Sequence, residues 1–201
     1  MAKFSLYLPL LQQVEGGFQK IQQDPGNFNS KGELVGTNFG ISARFYEDVI
    51  GRPPSKIDML SITKVEAESI YLQFFWNKNL GNRINSQSVA NTVIDHQVNS
   101  GRGIKMAQQV LNNRFGKTLA VDGVMGPNTL RALNSVNAEI FVNEYNNARE
   151  QYYISINNPT FINGWLIRLK QFAYSDAFAI SSGFIVIAII AGIIIYKNHA
   201  S

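Results

Sequence analysis

The sequence has no cysteine and only two histidines. A disulfide framework and a thiolate metal site are therefore excluded, and two isolated histidines do not make a zinc centre on their own. No metal or other cofactor is expected, and acid–base work falls to carboxylates. Clusters of one charge are also missing. The chain has 18 Lys and Arg against 14 Asp and Glu, a formal net charge of +4, but the cations are scattered. They read as solvated surface with a mild preference for anionic surroundings, and nucleic acid is not an expected partner. Internal repeats and long polar linkers are absent too. The opening MAKFSLYLPLLQQ carries a lysine and an apolar run. Pro9 and two glutamines interrupt that run and no small-residue cleavage site follows, so no cleavable signal peptide is expected.

What is present divides in two. From Phe178 to Tyr196 the run FAISSGFIVIAIIAGIIIY carries no charge, and nineteen helical residues would span about 28 Å, close to the hydrocarbon thickness of a bilayer. Beyond Gly183 it has no polar stripe of the kind a globular helix shows. One C-terminal transmembrane helix, 178–196, is expected. It would anchor the chain in the cytoplasmic membrane.

The rest reads as mostly helical. Leu10, Val14, Phe18 and Ile21 recur at helical spacing until Asp24-Pro25-Gly26, so one helix is expected to run to that stop. Asn27 to Ser42, NFNSKGELVGTNFGIS, suits a small β-hairpin or irregular loop. Thr63 and Glu66 have capping-box spacing, and Ile70, Tyr71, Phe74 and Phe75 follow as an apolar face. Further helices are expected over Val89–Asn99, Ile104–Phe115, Pro127–Leu133, around Phe141 to Tyr152, and over Phe161–Phe172, with Gly116–Gly126 as a loop.

Glu15 and Asp24 are the obvious carboxylates for glycosidic hydrolysis, which needs one acid to protonate the leaving oxygen and a second carboxylate or a positioned water on the other face of the sugar. Beside an apolar stripe, Glu15 would be partly desolvated, which favours its protonated form. Gly16 and Gly17 would leave room for a sugar. On residue chemistry alone, a glutamate before two glycines is more often a solvated helix end.

VEGGF from Val14, DPG from Asp24 and TNFGIS from Thr37 together resemble the N-terminal signature of the glycoside hydrolase family 108 muramidases, found in phage endolysins and related bacterial proteins. The resemblance continues through FFWNKN at Phe74–Asn79 and DHQVNSGRGIKMAQQVLN from Asp95. It then takes in VDGVMGPNTLRAL, similar to the DG-x-x-GP-x-T segment of these proteins' peptidoglycan-binding region, and REQYY and FINGWLIRL. Roughly Tyr7 to Phe172 is covered. The resemblance implies a lysozyme-like, mainly α domain with Glu15 as general acid, and Asp24 and Thr37 helping to hold a water for an inverting attack. One departure stands out: NFNSKGELVG intervenes before Thr37 where family members have a shorter stretch.

The implied organisation is a catalytic region, 1–85, a helical peptidoglycan-binding region, 86–173, packed on it as one unit, and the membrane segment. The implied activity is cleavage of the β-1,4 bond after N-acetylmuramic acid in glycan strands. The alternative is a non-catalytic peptidoglycan-binding or assembly protein of a phage-like or secretion machine. Candidate subsite residues are Asn38, Tyr71, Trp76, Asn99, Arg102 and Trp165, although aromatics at helical spacing are more often core residues, and His96 reads as a core histidine. An anchor at the C-terminus would leave the large domain on the cytoplasmic side of the membrane. Reaching the wall would then require a holin-like lesion or an export or injection machine.

Overall fold

The computed structural model describes residues 1–14 and 16–175; Glu15 and the expected membrane segment 178–196 lie outside them. The first helix, α1 (Phe4–Val14), buries Tyr7, Leu10 and Leu11. It stops before the Gly16-Gly17 pair and does not run on to Asp24 as its apolar spacing suggested. Two successive glycines each cost roughly 1 kcal/mol in a helix. The chain beyond them pairs elsewhere: Gln19 and Thr37 exchange both backbone hydrogen bonds at 2.9 Å.

A single 3-10 turn, Pro25–Asn27, is capped by Asp24, whose Oδ1 accepts from Gly26 N at 2.9 Å. The strands β1 (Thr37–Asn38) and β2 (Ile41–Ser42) form a small antiparallel hairpin, with Thr37 opposite Ser42. Ser42 then caps α2 (Ala43–Ile50), and Ser55 with Asp58 forms a complete capping box on α3 (Lys56–Ser61). At α4 (Lys64–Ile70) only half of the expected box forms. Thr63 Oγ1 accepts from Glu66 N, but the Glu66 carboxylate accepts from the Tyr46 hydroxyl at 2.7 Å. Burial first, and the Glu66 bond second, raise that phenol to about 12, so it keeps its proton and donates. The helix continues as a π-helical segment, Tyr71–Asn77, which turns both Tyr71 and Trp76 inward.

The remaining helices are α5 (Gln87–Ser100), α6 (Gly103–Phe115), α7 (Pro127–Asn134), α8 (Ala138–Ile156) and α9 (Ile162–Lys170). Every residue of α5 from Gln87 to His96 is buried. α6 crosses it almost backbone to backbone, since a Cβ on Gly103 would lie 2.1 Å from the Val93 carbonyl oxygen. Among the described residues the fold is mainly α with one two-stranded hairpin, and no helix is long and apolar enough to cross a membrane.

A helix buried on all sides must find partners for its polar side chains. Gln87 exchanges hydrogen bonds with both the N–H and the carbonyl of Lys3, and Thr92 donates to Asn146 of α8. Asp95, fully buried, accepts from Arg149 of α8 at 2.7 Å and from Arg168 of α9 at 2.8 Å. Because the Tyr145 hydroxyl donates to the Gly103 carbonyl, His96 Nδ1 is the donor in its 2.8 Å bond to that hydroxyl. His96 is a core residue. Burial, reinforced by the Arg149, Arg102 and Arg168 charges, pushes its imidazole down from 6.5 to about 2.

The folded protein therefore keeps His96 neutral while the unfolded chain takes up a proton below 6.5. The stability this group contributes is complete above that value and declines as pH falls from 6.5 towards 2, by up to about 1.4 kcal/mol per pH unit. Urea unfolding midpoints should fall between neutral and mildly acidic pH, and more shallowly in His96→Gln than in the parent. Equal slopes in the two proteins would exclude His96 as the source of the acid response.

Candidate active site

Gly16 and Gly17 form one wall of a cavity of about 230 Å³ between the end of α1, the hairpin tip and α4. Leu11, Phe39, Ala67 and Tyr71 supply its apolar surface, and Gln12, Lys64 and Glu68 its polar rim. A Cβ added at Gly16 or Gly17 would meet no atom within 4 Å, so the wall faces open space. Gln12 Nε2 donates to Glu68 Oε1 at 2.6 Å and ties α1 to α4.

The hairpin tip turns in two residues, Phe39 and Gly40, with φ of 47° and 72°. A turn with positive φ at both positions favours Asn or Gly. Phe39 adopts the left-handed region at a cost of roughly 1–2 kcal/mol. Its carbonyl is fixed by the Tyr71 hydroxyl at 2.9 Å, and its half-buried ring lines the cavity. Sequence reasoning passed over Phe39. The signal available was an aromatic residue placed before glycine in a two-residue turn.

Thr37 is buried on β1, and its Oγ1 donates to Asn27 Oδ1 at 2.6 Å. Asn27 is wholly buried; its Nδ2 donates to the Ile21 carbonyl and to Gln19 Oε1, and its own carbonyl accepts from Val35 N and Gly36 N. The long segment before Thr37 therefore closes on itself: both its ends meet at Asn27. Phe28 bridges Leu34 within it, and Asn29 seals the bend through Lys31 N, Glu33 N and the Pro54 carbonyl. Asp24 approaches from the turn below. A Cβ on Gly26 would lie 3.2 Å from Asp24 Oδ1 and 3.3 Å from Ser42 Cβ, so Asp24 stands beside the residue paired with Thr37.

The other candidates separate into core and surface. Asn38 is buried and donates to the Met59 carbonyl at 3.0 Å, holding α3. Trp76 is fully buried; its ring stacks on Tyr7 at 5.6 Å and meets the edge of Phe4, while its Nε1 donates to Asn82. Neither face is open to a sugar. Tyr71 is buried but reaches the cavity wall. Asn99 accepts from the Tyr153 hydroxyl, and Trp165 stacks on Tyr153 and Phe161. With Arg102, which lies over Tyr152, they belong to the end of the molecule built by α8 and α9 and do not line the cavity. Glu15 lies outside the described residues. Among the described residues no three His, Asp or Glu side chains gather as a metal site.

Comparison with known proteins identifies a glycoside hydrolase among these helices. Residues 8–101 match the Glycosyl hydrolase 108 model, and residues 102–170 match the Predicted Peptidoglycan domain. The solved structure of Brucella abortus SagA is similar at 30% identity and a TM-score of 0.71, with the match covering 90% of this chain and 97% of that one. No curated protein matches the chain. The chain belongs to the glycosyl hydrolase 108 family. Its pairing of a hydrolase region with a peptidoglycan domain suggests a peptidoglycan hydrolase.

Gly36 adopts a φ of 102°, and a Cβ there would lie 2.7 Å from both the Gln19 carbonyl oxygen and the Phe18 ring. Gly36→Ala should push the Phe18–Gln19 segment away from β1 and destabilise the fold by roughly 2–4 kcal/mol in urea denaturation. Unchanged stability would show that this packing does not hold Thr37 in place.

Proposed function

We propose that the chain is an N-acetylmuramidase that cleaves the β-1,4 bond between N-acetylmuramic acid and N-acetylglucosamine, with Glu15 as general acid. The observation that carries this reading is the open, glycine-walled cavity that begins one residue after Glu15. In this reading residues 1–85 carry the chemistry and residues 86–173 carry the grip on the polymer. Phe39, with its ring on the cavity wall, is the aromatic surface a sugar would meet, in place of Trp76.

The Glu15 carboxyl gives its proton to the glycosidic oxygen as the bond from the anomeric carbon to that oxygen breaks. A water adds to the anomeric carbon from the opposite face and gives its proton to Asp24, which produces inversion. Thr37 has a defined part in this scheme. Its hydroxyl hydrogen is committed to Asn27, so its oxygen has only lone pairs to offer and can orient the water by accepting one of its hydrogens. The family membership supports the reaction class, and the residue roles rest on the motif order Glu15, Asp24, Thr37.

Digestion of purified sacculi by the parent should release fragments with new N-acetylmuramic acid reducing ends, read by mass spectrometry after borohydride reduction. Glu15→Gln should lower release by about 10²- to 10⁴-fold. Equal release by both proteins would remove Glu15 from the mechanism, and new N-acetylglucosamine ends would replace the muramidase with a glucosaminidase. Anchoring by Phe178–Tyr196 is the companion proposal, carried by that segment's length and lack of charge. The full chain should float with liposomes and a chain ending at Ser175 should not; flotation of both would refute the anchor.

A further inference from the structure

A second concavity, of about 660 Å³, lies between α6 and α8, well along the chain from the glycine-walled cavity. Met106, Val110 and Ala148 form its apolar floor. Gln109, Asn113, Asn147 and Gln151, all exposed, line its rims. The helices run in opposite directions along it, so Arg102 meets Tyr152 at one end and Arg114 meets Glu144 at the other. From Arg102 to Arg114 the helical rise gives about 18 Å, which accommodates about five residues of extended peptide.

The charges and amides together define the occupant. Four carboxamides facing each other across a trough supply donors and acceptors on both sides, the pattern that satisfies the alternating N–H and C=O groups of an extended backbone. Arg102 has no carboxylate partner among the described residues; its guanidinium lies 5.0 Å from the Tyr152 ring centroid. It is placed to receive an acidic group. At the far end the Arg114–Glu144 pair, 3.0 Å apart, has its arginine well exposed and its glutamate about a third exposed. Such a pair contributes little by itself, so it can open to take an incoming ammonium on Glu144 and a carboxylate on Arg114.

A sugar polymer fits this groove less well. Sugars bind by stacking on open aromatic faces, and the one aromatic residue in the groove, Tyr152, is covered by Arg102. We infer that the α6–α8 groove binds the stem peptide of peptidoglycan, a short chain with free carboxylates and a diamino acid, and so holds the polymer while the separate cavity works on the glycan. The inference rests on the peptidoglycan reading above, and deepens it by naming the ligand class and the residues that grip it.

The test titrates a synthetic stem tetrapeptide containing a diamino acid into the full chain, followed by calorimetry. Saturable binding is expected. Arg102→Ala should weaken it by about tenfold or more, as loss of a charge-assisted bond does, and Gln151→Ala should weaken it measurably. Both residues are exposed, so unchanged thermal midpoints serve as the fold control. No binding at millimolar peptide, or equal affinity in parent and variants, overturns the inference. Displacement of the peptide by glycan strands stripped of peptide would also overturn it, by assigning the groove to sugar. Cleavage of the same stripped strands by the parent reports on the hydrolase reading separately. Cleavage without peptide binding leaves that reading standing and removes the groove, and peptide binding without cleavage does the reverse.

Discussion

The buried carboxylate of Asp95 is the interaction on which the arrangement of the helices turns. It sits on a helix with no solvent-facing side over ten residues; its Oδ2 accepts from Arg149 of α8, and both its oxygens accept from Arg168 of α9. A buried charge pair of this kind adds little net stability compared with apolar packing, but losing one member leaves an uncompensated charge in the interior. Its effect is to fix geometry. Two helices that could otherwise slide along α5, α8 of 19 residues and α9 of 9, are each held in place by it. The neighbouring polar residues repeat the pattern, Thr92 towards Asn146, His96 towards Tyr145, and Gln87 towards the chain's first turn.

That last contact carries the order from the C-terminal helices to the cleft. Gln87 grips the backbone of Lys3 just before α1, and Tyr7 of α1 stacks on Trp76, in the last turn of the π-helical continuation of α4. The two walls of the cavity are therefore set by the same aromatic contact. The hairpin joins them through Tyr71, whose hydroxyl holds the strained Phe39 turn. Each piece of the cleft is attached to α5 within a few contacts, although α5 itself contributes no residue to the cavity lining.

Much of this was legible in the sequence where a single helix signal acts alone. Pro127 opening α7, the glycines closing α5 and α6, and the apolar faces of α6 and α8 all have local causes. Legibility failed where a tertiary partner outbid the local pattern. Phe18 and Ile21 continue the spacing of α1, yet Gln19 between them pairs with Thr37, a residue eighteen positions away. Glu66 has the spacing of a cap, but Tyr46 takes its carboxylate. Arg149 gave no signal at all, because a charged residue inside an amphipathic helix normally faces water and only its distant partner Asp95 explains its burial. Of the candidate subsite residues, Tyr71 lines the cavity with Gly16 and Gly17, whereas Asp24 and Thr37 are not among its lining residues. The sequence could not show that Trp76 spends both faces on the core, nor that Asn27 receives the Thr37 hydroxyl.

The closure at Asn27 has a consequence for how this protein can change. Because both ends of the 27–36 segment are fastened to one buried asparagine, the length of what lies between them is not passed directly to Thr37, even though Asn29 and Ser30 also tie the segment to Pro54 and Glu47. Residues added or removed within that segment need not move the cleft. Beyond Ser30, whose N–H donates to Glu47 of α2, Lys31 and Gly32 form an exposed tip, a natural port for a label, an affinity handle or a grafted recognition sequence.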